Sequence, residues 1–282
     1  MFRAFRYSHE LAEDLQSHKV GFSFFAVVAA TCMLGGQFLM LYDNYAVATA
    51  FLALGAWFWV SAIYAIFFAL IVKEDKPDLE QSINGNWLLA TVGTESVALL
   101  AIMLSDHFGS AQSTVLFAST SLWLFGGALY GWMMSIIIYR YLFLKMDATD
   151  IEPPHWLDMG AMAVAAYCGI ELAKHLGSAP NLLVLMPFVQ GMTMLFWSVA
   201  TWWIPMSALL GIWRMRNAGA PRYQTGLWSF VFPLGIYAAA TGAYSSLLNE
   251  PFLIPLAFGM AGLSLIAWIY VSGMFVVSRL RH

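Results

Sequence analysis

The sequence predicts an all-α polytopic membrane protein with about eight transmembrane helices, arranged as four parallel-repeat hairpins. Three observations carry this. Hydrophobic residues fill 61% of the 282 positions and charged residues only 10%; water cannot solvate so much apolar surface, whereas a bilayer can. The apolar residues fall into eight stretches, 20–42, 45–72, 86–105, 113–144, 157–175, 181–214, 223–247 and 251–279. Each is near or above the ~20 residues that a spanning helix needs. Finally, twelve of the thirteen Lys and Arg residues lie in alternate gaps between these stretches.

Taken in order, the gaps give the threading. Arg3, Arg6 and Lys19 precede the first stretch, and Lys73 and Lys76 follow the second. Arg140 and Lys145 close the fourth, Arg214, Arg216 and Arg222 follow the sixth, and Arg279 and Arg281 end the eighth. The other set of gaps holds only Lys174. Basic residues are retained on the cytoplasmic side, so both termini are expected to be cytoplasmic; the compactness of the chain makes the bacterial inner membrane the expected location. Residues 1–19 are expected to form a cytoplasmic segment, with a short amphipathic helix from His9 to Lys19 on the membrane surface, and residues 20–282 a single transmembrane domain. The first stretch is too long for the apolar core of a cleavable signal peptide. Cys32 and Cys168 both fall inside spans, so there is no disulfide framework.

Every second span starts near 20, 86, 157 and 223, intervals of about 66, 71 and 66 residues. Each unit is one helix out, a tight external turn, one helix back and a charged cytoplasmic loop, a parallel repeat about an axis along the membrane normal. The external turns are 42–44, 106–109, 177–180 and 249–251, rich in Asp, Asn, Gly and Pro, which reverse a chain at little cost. First helices carry small and polar residues, such as Gly35 and Gly36, Gly93 to Ser96, Gly160 and Gly169. Second helices are heavier in aromatics and aliphatics, as in 51–68 and 197–213. Lipid-facing surface is large and apolar while close packing or a lumen needs small or polar residues. An inner ring of first helices around a pore is therefore expected; the plainer alternative is a bundle with no central passage.

Four stretches then show a family likeness: Asn84 to Ala98, Pro153 to Ala161, Phe196 to Pro205, and Trp228 to Tyr237, the last holding the run Phe232-Pro233-Leu234-Gly235. They resemble the tellurite-resistance/dicarboxylate transporter family, which includes the plant slow-type anion channels. The resemblance implies anion transport through a pore within each protomer, commonly in a trimer, with a phenylalanine of the last inner helix closing the pore. By motif that residue is Phe232, with Pro233 beside it. The family usually has ten helices in five hairpins, and four hairpins are counted here.

The residues themselves support two readings each. An apolar Phe232 ring in a narrow lumen would block a hydrated anion by dewetting, or it is one packed aromatic among twenty-one Phe. Glu95 sits deep in its span, where a carboxylate is costly; it either carries a coupled proton or is a neutral packing group. Thr91, Thr94, Ser96, Gly235 and Thr241 are candidates for a neutral pore lining, though Ser and Thr commonly bond back to their own helix. Glu171 and Lys174, three residues apart on one helix face, either form an external vestibule for anions or a simple interfacial ion pair. Gly127 and Gly131 mark close helix packing. No mid-span His, phosphate-binding loop, metal-ligand spacing or catalytic triad is visible, so no cofactor and no enzyme activity are expected. The expected partners are a small anion (a C4-dicarboxylate, or chloride, nitrate, sulfite or tellurite), the bilayer and further copies of the chain. The competing function is a structural subunit of a larger membrane complex.

Overall fold

The computed structural model describes residues 13–219 and 222–280. Eight of its helices are long and apolar enough to cross a membrane. They are α1 (Phe25–Tyr42), α2 (Tyr45–Val72), α3 (Leu89–Met103), α4 (Gln112–Phe143), α5 (Leu157–His175), α6 (Met186–Ala218), α7 (Trp228–Leu248) and α8 (Leu253–Leu280). Helix is the only solution for an isolated span, because hydrocarbon offers backbone N–H and C=O groups no other partner. Most of the expected amphipathic helix from His9 to Lys19 lies outside the described residues; residues 13–15 are helical.

The turns between hairpin partners follow the local chemistry. Asp43 ends α1 in the left-handed region (φ 48°), and the Asn44 side chain caps α2 by accepting from the Val47 amide at 3.1 Å. Asn249 ends α7 in the same left-handed way (φ 55°). Asn and Asp tolerate this conformation better than other residues with side chains. The turn between α3 and α4 is a 3₁₀ stretch, Ser105–Ala111, broken at Gly109 (φ 52°).

The first helices of the hairpins pack side by side in chain order, α1 on α3, α3 on α5 and α5 on α7. The second helices lie outside this row. Helix α2 rests on α1 and α3, α4 on α3 and α5, α6 on α5 and at its edge α7, and α8 on α7. Helices α3 and α5 are therefore almost wholly buried, while α2, α6 and α8 expose most of their surface. Helices α1 and α7 end the row and do not pack on each other as neighbours within it do, so each keeps one bare flank. That is why α1 is no more buried than the outer helix α4.

One contact recurs between units. Trp59 of α2 donates its indole N–H to Thr94 Oγ1 of α3 (2.8 Å), Trp123 of α4 donates to the Ala165 carbonyl of α5 (2.9 Å), and Trp197 of α6 donates to Thr241 Oγ1 of α7 (3.0 Å). Each outer helix thus bonds the inner helix of the next unit. The indole N–H must find an acceptor where water is absent, and meeting that need here also sets the register between units.

Candidate functional site

Each inner helix opens with a 3₁₀ turn on the side of the basic loops: Gly21–Phe24, Gly85–Leu88, Pro153–Trp156 and Thr225–Leu227. These four openings converge on one cavity of about 360 Å³, bordered by Ser23, Asn86, Glu152, Pro154, Gln224 and Ser229. A side chain caps only the second opening, where Asn84 Oδ1 accepts from the Asn86 amide at 3.0 Å. The other three have no side-chain cap, so the positive ends of their helix dipoles face the cavity. The one carboxylate on the rim, Glu152, is paired with Lys19 at 3.0 Å. With that pair the cavity is polar and uncharged on balance.

Beyond this mouth the helices close in. Every residue of α3 from Ala90 to Leu100 is buried, so side chains fill the middle of the membrane. Phe232 is half-buried against the core. It lies three residues, about one turn, beyond Ser229 on α7, and does not itself border the cavity. Pro233 packs instead toward α5, where the missing Cβ of Gly160 leaves room for its ring. Helix α7 runs unbroken through this proline.

The other sequence-derived residues lie elsewhere. Thr94 and Thr241 point outward to the tryptophans of α2 and α6. The Ser96 hydroxyl donates to the Val92 carbonyl at 2.7 Å. Gly235 lies against Ser264 of α8. Thr91 is fully buried, and its hydroxyl has no hydrogen-bond partner. Glu95 is also fully buried, on the same face of α3 one turn further along. Its carboxylate abuts Gly126 of α4 and the Cys168 thiol of α5, and neither oxygen has a conventional hydrogen bond. Glu95 therefore sits between inner and outer helices, beside the row and not at the cavity formed by the helix openings. Near the C-terminal end of α5, Glu171 and Lys174 form an ion pair at 2.7 Å, and His175 contacts the Glu171 carbonyl at 2.8 Å. Gly127 gives room to Phe196 of α6, while Gly131 meets no neighbour.

Two buried polar groups on the side of the basic loops escaped the sequence reading. Asp158, the second residue of α5, is fully buried; Tyr141 donates to its carboxylate at 3.2 Å and Tyr130 to its carbonyl at 2.9 Å. Arg140 is buried too, donating to the Ile83 carbonyl and facing Asp150 at 3.7 Å. The signal for Asp158 was present as an acid inside the 157–175 stretch. No such signal marked Ser23, Asn86 or Gln224, which lie in separate units and meet only through the packing of the row.

A sequence profile described as voltage-dependent anion channel matches residues 1–276. The chain belongs to this family. Its relatives include two proteins of Methanocaldococcus jannaschii named as uncharacterized transporters. One is 26% identical over 278 residues, covering 95% of this chain and 77% of the relative; the other is 24% identical over 260 residues, covering 89% and 71%. An uncharacterized membrane protein of Mycobacterium tuberculosis is 35% identical over 117 residues, 41% of this chain and 58% of that protein. No solved structure matches the chain. Within a voltage-dependent anion channel family, a mouth ringed by helix N-termini is the feature of this structure with the clearest chemical meaning.

Proposed function

We propose that this integral membrane protein moves small anions through a passage that begins at the cavity ringed by the four inner-helix openings, and that Phe232 closes it. The convergence of four helix N-termini on one uncharged polar cavity carries the reading. An anion entering the mouth exchanges part of its water shell for hydroxyl and amide groups, and the aligned dipoles offset the rest of that cost. An aromatic ring above a mouth of this size excludes water, and with it the hydrated ion, until it moves. The substrates proposed are C4-dicarboxylates such as malate and small inorganic anions such as chloride and nitrate. Glu95, off the mouth and without a conventional hydrogen bond, is proposed to carry a proton that moves with the anion; a charged carboxylate on the ion's own path would repel it.

The test is anion flux into liposomes, comparing wild type with Phe232→Ala for chloride, nitrate and malate. A low wild-type flux that rises sharply in the variant supports the gate, and the ranking of anions identifies the substrate class. No flux from either folded protein would favour the structural-subunit reading, which draws on the near-complete burial of α3.

A further inference from the structure

Two pockets meet at Tyr270 of α8, on the side of the basic loops. The outer one, about 910 Å³, is bordered by α8 from Ile269 to Ser278 and by Arg222 and Tyr223 of the loop between α6 and α7. Nine residues of helix make it about 13 Å long. The inner one, about 310 Å³, lies between the end of α6 and the openings of α5 and α7, against Trp156, Ile212, Arg214, Leu227 and Phe230. Beside the outer pocket, Arg279 lies over the Phe275 ring at 5.4 Å, and Tyr223 packs on the same ring at 5.5 Å between centres. Among the described residues, Arg214, Arg222 and Arg279 have no ion-pair partner. Arg214 gives one N–H to the Gly219 carbonyl at 2.9 Å, while its buried Nε has no partner. The acids that flank Ile151 on the inner rim are engaged elsewhere, Asp150 facing Arg140 and Glu152 paired with Lys19. The joined site therefore sets unneutralised arginines and hydroxyls beside an apolar wall.

We propose that these joined pockets bind one anionic phospholipid, with its phosphate at Arg222 and an acyl chain reaching past Tyr270 into the inner pocket. Charge complementarity selects this ligand, since basic pockets between membrane helices hold anionic headgroups. A free phosphate would satisfy the arginines and leave Trp156, Phe230 and Met274 around an unfilled apolar space. A zwitterionic headgroup would bring an ammonium group beside Arg222 and Arg279 with no acid to receive it. The rest of this chain matches the site no better: residues 281–282 are Arg and His, and residues 1–12 hold Arg3 and Arg6 against the single acid Glu10. The depth is right as well. Helix α8 has 28 residues, about 42 Å of helix against ~30 Å of hydrocarbon, so its last turns reach the headgroups. The loop that carries Arg222 continues into Gln224, Thr225 and Gly226, which border the 360 Å³ cavity. A lipid held at Arg222 thereby steadies one wall of that cavity. None of this requires that an anion be transported.

Native mass spectrometry of the full chain in detergent tests this, with phosphatidylglycerol and phosphatidylcholine supplied in equal amounts. The expected result is retention of one phosphatidylglycerol in preference to phosphatidylcholine. Arg222→Gln should lower that preference about fivefold, which corresponds to the ~1 kcal/mol that one basic residue contributes toward anionic lipid. Gly211 borders the inner pocket, and a side chain there meets no neighbour, so Gly211→Leu takes the acyl chain's place without straining the fold and should lower retention of the lipid. Lys145→Gln, a basic-loop change bordering neither pocket, should leave the preference unchanged. Thermal midpoints equal to wild type in lipid-free detergent show that the variants fold. Equal retention of both lipids, or a preference indifferent to Arg222→Gln, would overturn the proposal. So would retention indifferent to Gly211→Leu, or an equal drop in Lys145→Gln, which would indicate surface charge alone. Displacement of the lipid by millimolar glycerol phosphate would assign the site to a soluble phosphate instead. Because lipid retention is read without flux, it stands or falls separately from the Phe232→Ala result.

Discussion

Replacing Trp123 by Phe removes an indole that is fully buried, donates to the Ala165 carbonyl at 2.9 Å and meets Phe196 edge-on at 5.6 Å between ring centres. The hydrogen bond contributes about 0.6–1 kcal/mol, the range measured for interhelical polar contacts in membranes. The smaller ring leaves a void of roughly 40 Å³, which at about 24 cal/mol per Å³ costs about 1 kcal/mol more. The expected loss is therefore about 2 kcal/mol. Trp59→Phe and Trp197→Phe, whose indoles are half-buried, should cost about 1 kcal/mol each. Trp268→Phe in the purified chain should cost less than about 0.5 kcal/mol, since it breaks no hydrogen bond and the side chain is half exposed. Equilibrium unfolding in mixed micelles of increasing dodecyl sulfate measures all four. A Trp123→Phe variant as stable as Trp268→Phe would refute the idea that these indoles hold unit to unit.

Gly126→Ala places a methyl against the Glu95 carboxylate and should destabilise by about 1–3 kcal/mol; adding Glu95→Ala should recover part of this, and strictly additive losses would show that the two side chains do not meet. Glu95→Gln should abolish pH-driven anion uptake into liposomes while leaving passive leak, and unchanged pH dependence would remove the coupling role. Arg140→Leu leaves the Ile83 carbonyl and Asp150 without their partner and should cost about 2–4 kcal/mol in thermal unfolding; a shift in midpoint within error would show that Arg140 does not hold that loop. Burial, then the Lys73 and Lys76 cations, lower the pKa of His18 from its usual 6.5. Since the folded state resists protonation more than the unfolded chain, stability should be full above about pH 6.5 and fall as pH drops toward the folded value. An NMR titration midpoint for His18 at or above 6.5, or one that does not rise in Lys73→Ala/Lys76→Ala, would contradict this.

Much of the architecture was legible in the order of residues. The eight spans, the tight Asp-Asn and Asn-Glu-Pro turns and the difference between first and second helices are local properties. Hydrocarbon forces each apolar run of sufficient length into a helix, so composition and length alone specify the element. The motif from Trp228 to Tyr237, with its run Phe232-Pro233-Leu234-Gly235, pointed to the family for a related reason, since a run of aromatic, Pro and Gly residues constrains one helix and its immediate contact.

What the chain order did not carry is the direction in which each side chain points once helices pack. Thr94, Thr241 and Glu95 read as lining candidates because polar residues in a span invite a lumen. Packing turned them toward the outer helices, where two tryptophans needed acceptors and Gly126 left space for a carboxylate. The cavity at the mouth joins residues as far apart as Ser23, Asn86, Glu152 and Ser229, and no local signal couples positions so distant. Length and hydropathy determine how many helices cross the membrane. Which faces meet, and therefore where an ion can enter, is decided by close packing, because lipid solvates apolar faces as well as neighbouring helices do and only shape and hydrogen bonds choose between them.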